Sequence, residues 1–304
     1  MRKVKINKKI ILLLLIIIIL LLIYFLYIKG IEKFTNINDN NNTKLILKTP
    51  SYSSGFFSIF NMLLASLIDN PNTTEIEYNI ISNKDNPSSY YVNESEELFT
   101  KIFQSYQSSP SNKIVEINQF IPDTDGTKLY FKGLDLYNDN RYKLKPFNDV
   151  YTKYIIIEPH IKERIENHIK ILKNGDYNQY IGILVRSEAI GHKYDRNKYL
   201  DIINNQSKNL KTKYFFCIDN EEDLQFYKTK LNPHYYININ RSLTNKGDAP
   251  HTNNNLKTLD EFENVFIQVA VLSSCDILVH CSSNMATASL IMNMEQKSVC
   301  IDTL

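Results

Sequence analysis

The chain has 304 residues, with 35 Lys and Arg against 33 Asp and Glu for a formal net charge of +2. Arg2, Lys3, Lys5, Lys8 and Lys9 crowd the N-terminus, so the remainder carries about −3 with mixed signs, a balance that argues against a nucleic-acid partner. A 43% hydrophobic content over this length supports a real core, in one large domain or two of ordinary size.

Ile10 to Ile28 contains only Ile, Leu, Tyr and Phe. At 1.5 Å per residue such a helix spans about 28 Å, enough to cross the hydrocarbon of a bilayer. A cleaved signal peptide has a shorter apolar core followed by small residues, whereas this one ends Tyr24-Phe25-Leu26-Tyr27 and runs into Lys29 and Gly30. The segment reads as an uncleaved anchor. With the basic cluster ahead of it, the positive-inside bias keeps the N-terminus cytosolic and places the body on the lumenal or exterior side, a single-pass type II arrangement. The expected layout is a cytosolic tail over 1–9, a transmembrane anchor over 10–28, a stem over 29–43 rich in Asn, and a body beginning near Lys44.

In the body, Leu45 to Leu47 reads as a strand and Thr49 to Gly55 as a Pro/Ser/Gly loop. Phe56 to Ile68 carries Phe57, Ile59, Phe60, Leu63, Leu64 and Leu67 at helical spacing. Glu75 to Ile81 alternates as a strand, Glu94 to Phe103 reads as a helix, and Ser105 to Tyr151 is loop-rich apart from a strand over Ile114 to Ile121. Ile155 to Ile157 is a brief apolar run, and Pro159 to Leu172 is a helix with Ile161, Ile165, Ile169 and Leu172 on one face. Beyond it the pattern is regular. Strands over Tyr180 to Val185, Tyr214 to Ile218, Tyr235 to Ile239, Ile277 to His280 and Lys297 to Ile301 are interleaved with helices over Asn197 to Gln206, Glu221 to Lys230, Leu259 to Leu272 and Ser283 to Met292. Such alternation predicts an α/β fold with a parallel sheet covered on both faces, divided into one domain over 44–175 and a second over 176–304.

Five sequons, at Asn41, Asn72, Asn93, Asn205 and Asn240, are available for glycosylation in an exported body, although an Asn-rich chain produces them by chance. Cys217, Cys275, Cys281 and Cys300 lie mostly in apolar runs and read as free core thiols, because a chain of this size does not need disulfide staples.

Ligands of parallel sheets bind beyond the carboxyl ends of the strands, and three loops there carry chemistry. Arg186 follows Val185 directly and offers a fork of donors suited to a phosphate, or is a solvated surface charge. Asp219 and Asn220 end a strand and begin a helix, where a carboxylate and an amide either meet a ligand or cap the helix. Ser282, Ser283 and Asn284 lead into a helix whose free N–H groups and adjacent hydroxyls form an anion site, with a plain Ser cap as the alternative. Guanidinium, acid and hydroxyls on one side of one sheet suit a nucleotide diphosphate. A competing element is Asp123-Thr124-Asp125-Gly126, whose paired carboxylates can hold a divalent metal, but Pro122 and the Asp-Gly step are ordinary turn chemistry. Walker A, G-x-G-x-x-G, H-E-x-x-H, C-x-x-C and G-x-S-x-G patterns do not occur.

Taken in order, Ile181-Gly182-Ile183-Leu184-Val185-Arg186, Ile218-Asp219-Asn220, Leu272-Ser273-Ser274-Cys275-Asp276 and Cys281-Ser282-Ser283-Asn284 match I-G-V-H-V-R, T-D-D, L-S-x-A-D and F-S-S-Q. The second half thereby resembles the nucleotide-binding domain of the alpha-1,6-fucosyltransferase and nodulation-fucosyltransferase group, within the GT-B fucosyltransferase superfamily. Upstream, Ser54-Gly55-Phe56-Phe57-Ser58-Ile59-Phe60-Asn61 is similar to the loop and helix of related transferases. The resemblance implies a GT-B-like fold of two Rossmann-like domains facing a cleft, the first on the acceptor side, preceded here by the transmembrane helix. It implies GDP-fucose or another GDP-sugar as donor, a glycan or glycoprotein acceptor, no required metal, and inversion at the sugar carbon. Golgi transferases share the type II arrangement, which makes the lumen of the Golgi or endoplasmic reticulum the implied location. Arg186 would hold the diphosphate and stabilise departing GDP, Asp219 and Asn220 would contact the nucleoside, and Ser282, Ser283 and Asn284 would bind phosphate. Glu188 or His192 would take the acceptor proton. The sequence departs from the family at Leu184, Ala189, Asn220 and Gln268, where the family has His or an acid. Each departure removes a polar contact, and an inactive member retaining the fold as a binding module is the competing expectation.

Overall fold

In the first half, β1 (Thr43–Lys48) and β2 (Thr73–Asn79) alternate buried and part-exposed residues, so each presents one apolar face. Between them α1 (Phe56–Asp69) is buried from Phe56 to Leu67 with Ser58 the exception. A helix apolar on nearly every side has to be covered on nearly every side, and it forms the centre of the core. The computed structural model describes residues 42–48, 55–80, 97–117, 141–186, 195–208, 210–239 and 258–301, which fall in the compact unit Asn42–Leu304. The expected anchor over 10–28, the Asp123 to Gly126 turn, Glu188 and His192 lie outside the described residues. No helix among the described residues is long and apolar enough to cross a membrane.

Short strands β3 (Phe103–Gln104), β4 (Tyr106–Gln107) and β5 (Lys113–Ile117) follow, and the first sheet has the order β4-β2-β1-β5. β1 runs parallel to β2 and β5, while β4 is antiparallel to β2. One face of this sheet carries a charge ladder, with Lys44 Nζ 2.7 Å from Glu75 and 2.6 Å from Glu77, and Lys48 Nζ 2.6 Å from Glu116. The first half is therefore a mixed sheet with one apolar and one charged face. α2 (Lys145–Tyr154), β6 (Ile156–Ile157) and α3 (Pro159–Lys173) complete it, with β6 antiparallel to β3.

The second half consists of β7 (Gln179–Val185), α4 (Arg196–Ser207), β8 (Thr212–Ile218), α5 (Glu221–Lys230), β9 (His234–Tyr236), α6 (Leu259–Ser273), β10 (Ile277–His280), α7 (Asn284–Met292) and β11 (Lys297–Cys300). Its five strands form the sheet β11-β10-β7-β8-β9, parallel throughout. Period-two alternation sorts the side chains: Ile181, Ile183 and Val185 join Tyr199 and Leu224 of α4 and α5 in one cluster. Leu184, Phe215 and Leu278 join α6, α7 and the first half in the other. Both faces are covered, as the alternation of elements predicts. At Gly182 a Cβ would lie 2.6 Å from Leu272 Cδ1 and 3.3 Å from Cys275 Sγ, so the missing side chain lets the end of α6 press onto β7.

The two halves meet through aromatic rings. Phe56 of α1 lies 5.2 Å from Phe262 and 6.0 Å from Phe266 of α6, ring centre to ring centre, and Phe103 lies 5.0 Å from Phe266, edge to face. On the outside, Arg164 of α3 is tied to Asp260, Glu263 and Asn264 of α6. The four cysteines are buried free thiols, in agreement with their apolar sequence context.

Two expectations are corrected. The helix expected over Glu94 to Phe103 is, in its described part, a single 3-10 turn at Phe99–Lys101 leading into β3. The Glu97 carboxylate explains the difference: it accepts from the backbone N–H of Ile80, Phe99 and Thr100, tying the segment to the end of β2. Within the stretch read as loop, α2 forms because Phe147, Val150, Tyr151 and Tyr154 share one face and pack on the core.

Candidate active site at the carboxyl edge of the second sheet

Strand register decides which loops stand side by side. In the parallel pair β7 and β10, Leu184 is level with His280, so Arg186 and Ser282 emerge as neighbours two residues later. In β7 and β8, Val185 is level with Ile218, so Asp219 emerges beside Arg186. The side chains follow: Arg186 Nε lies 3.6 Å from Asp219 Oδ2, and Arg186 Nη1 donates to Met285 Sδ at 3.0 Å. Met285 is the second residue of α7, so the guanidinium rests against that helix's first turn.

The helices that follow β7, β8 and β10 differ in their first turns. α4 is capped by Asp195, whose carboxylate accepts from the N–H of Asn197 and Lys198. α5 carries Glu221, Glu222 and Asp223 in its first turn, and its cap Asn220 accepts from Asp223 N at 3.1 Å. α7 has no acid in its first turn, and its cap Ser283 accepts through its hydroxyl from Ala286 N at 3.1 Å. The partial positive charge of a helix N-terminus is thus met by carboxylates at α4 and α5, while at α7 no acid lies in the first turn and Arg186 stands beside it. A guanidinium beside an acid-free helix start is an arrangement suited to an anion.

Beneath it lies a chain of charges. Asp223 is fully buried, with Arg196 Nε 2.5 Å from one carboxylate oxygen, and Arg196 also reaches Glu222 at 3.2 Å. Burial pushes the Asp223 carboxyl above its ordinary value; Arg196 opposes that, and Asp219 and Glu222 add to it. At the foot of the α7 loop the buried His280 ring is bracketed by Cys281 O and Ser298 Oγ, each at 2.8 Å, which holds the turn from β10 into α7.

Of the residues expected from sequence, Arg186, Asp219, Ser282, Ser283 and Asn284 stand at one edge, with Arg186 touching Asp219 directly. Asn220 is fully buried and its side chain serves α5 as cap. Among the described residues no three His, Cys, Asp or Glu side chains are grouped as metal ligands are. Sequence reasoning missed Met285 as a contact of the guanidinium and Asn61, whose Nδ2 reaches Asn284 O at 3.3 Å from the first half. The signal for Asn61 was present as an amide inside an otherwise apolar helical run.

No protein-family profile and no curated protein sequence matches the chain. Solved structures do. The fucosyltransferase NodZ from Bradyrhizobium superposes with a TM-score of 0.51 at 12% identity, covering 84% of this chain and 93% of that one. A structure of NodZ alpha-1,6-fucosyltransferase co-crystallized with GDP gives 0.51 at 11% identity with the same coverage. The fold is that of the GT-B fucosyltransferases. Within this fucosyltransferase-like fold the all-parallel second sheet carries the edge where Arg186 and Asp219 meet, and α1, α6 and α7 fill the junction between the two sheets.

Proposed function

We propose that the protein is a membrane-anchored glycosyltransferase that uses a GDP-sugar, GDP-fucose by resemblance, and inverts the sugar carbon on transfer to a glycan or glycoprotein hydroxyl. The observation that carries this reading is the placement of Arg186 against the acid-free first turn of α7, with Asp219 beside it. The acceptor oxygen attacks the sugar carbon, the bond from that carbon to the diphosphate breaks, and GDP leaves with the bonding electrons. The charge that develops on the diphosphate is met by the Arg186 guanidinium and the α7 N–H groups, which are already in place. Asp219 orients the guanidinium by its charge. The proton of the acceptor passes to a general base, for which Glu188 and His192 are the proposed residues. Ser282, Ser283 and Asn284 supply the phosphate turn.

GDP release from GDP-fucose by the purified full chain tests the reading, with Arg186→Ala expected to lower turnover on the order of 10²-fold, the size of removing one transition-state donor. GDP, and not UDP, is expected to raise the melting temperature. A protein that shows neither GDP binding nor turnover contradicts the proposal. One observation favours a second reading as an inactive binding module. Gln268, where the family helix carries an acid, is buried and its amide donates to Asn264 O of its own helix at 3.2 Å. GDP binding without turnover is the result that reading requires.

A further inference from the structure

Asn61 is buried completely on α1, and its Nδ2 crosses from the first half to donate to Asn284 O at 3.3 Å, with Asn284 Oδ1 at 3.5 Å. Its own Oδ1 is buried and meets no donor. Rotating the amide does not help, because it would set oxygen against the Asn284 carbonyl. Elsewhere α1 meets the second half through Phe56 and Phe60 against Phe262 and Phe266, so an apolar side chain is the stable choice at such a junction. Nor does α7 need the contact: the Asn284 carbonyl is the first in its helix and already enters the backbone ladder. The amide is thus a cost to folding at this position, and what it contributes is a fixed placement for the first residue of α7.

We propose that Asn61 is a positioning residue for the anion site, through which the first half of the protein sets the α7 N-terminus. Asn284 is held by Asn61, and Met285, the next residue, bears the Arg186 guanidinium. A shift of α7 along its axis or about it moves the N–H donors and Arg186 together. This inference rests on the GDP-sugar reading of that site and names the residue by which the two sheets are coupled there.

The test compares the full chain in detergent, wild type against Asn61→Leu, by melting temperature without ligand and by GDP titration. Asn61→Leu is expected to melt at or above the wild-type temperature while its GDP affinity falls about tenfold, a typical coupling between neighbouring residues. A residue with only a structural role would lower both or neither. Wild type binding GDP with Asn61→Leu within twofold of it overturns this inference alone. Wild type failing to bind GDP overturns the transferase reading and this inference with it. Asn61→Met, unbranched and adaptable, is the second variant; failure of both to fold overturns the inference, since an apolar side chain must be tolerated here.

Discussion

Replacing Phe266 by Ala tests whether the two sheets fold as one body. Phe266 is fully buried on α6 and its ring lies 6.0 Å from Phe56, 6.3 Å from Phe60 and 5.0 Å from Phe103, all three from the first half. Removing a buried Phe side chain costs about 3–5 kcal/mol in transfer and cavity terms, and three lost ring pairs place this site toward the upper end. Against a total stability of about 5–15 kcal/mol the loss is large. Because the partners belong to the other half, the loss should be shared. Urea unfolding is expected to stay a single transition at a lower midpoint, and amide exchange is expected to accelerate in β1 and β2 as much as in β7 and β8. Exchange that rises only in the second half, a split transition, or a loss below about 1 kcal/mol would refute the shared core, since each is far from the cost of a buried ring.

Arg196→Met removes the guanidinium that opposes the burial of Asp223, at a cost of about 3 kcal/mol near neutral pH. Burial raises the folded-state carboxyl above its ordinary 3.8, so the folded form holds its proton more readily than the unfolded chain and stability falls as pH rises through that window. Without Arg196 the rise is larger, so the deficit in melting temperature should be small in acid and grow toward pH 7; equal deficits at both ends would contradict this. Gly182→Ala forces a methyl against Leu272 and Cys275 and should cost about 1–3 kcal/mol in a denaturant titration, while a neutral result would mean that α6 lifts from β7 freely.

The second half was legible from sequence because each strand there is a short apolar run and each helix has a clear start. Glu221–Lys230 and Ile277–His280 coincide with the expected bounds, and an Asn or Ser side chain caps the helices after β8 and β10. The same legibility produced the site loops, since parallel strands bring consecutive strand ends to one edge whatever the details of pairing. Asn220 illustrates the limit: a polar residue at a strand end has the same appearance in sequence whether it serves a ligand or the next helix, and the bond to Asp223 N decides. The first half was harder because long-range contacts shape it. Glu97 gathers three N–H groups from two elements, and α2 is stabilised by the face it buries against α1 and α7. The bond from Ile80 to Glu97 and the packing of α2 are not local signals. The Arg186 contact to Met285 and the Asn61 contact to Asn284 join residues 99 and 223 positions apart, a distance over which pattern carries no information.

A crystal structure of the protein grown with GDP tests the central claim most directly. The account predicts the diphosphate between the Arg186 guanidinium and the backbone N–H groups at the start of α7, with the guanidinium donating to a phosphate oxygen. GDP bound at another edge, or bound with no contact between Arg186 and a phosphate oxygen, would contradict it.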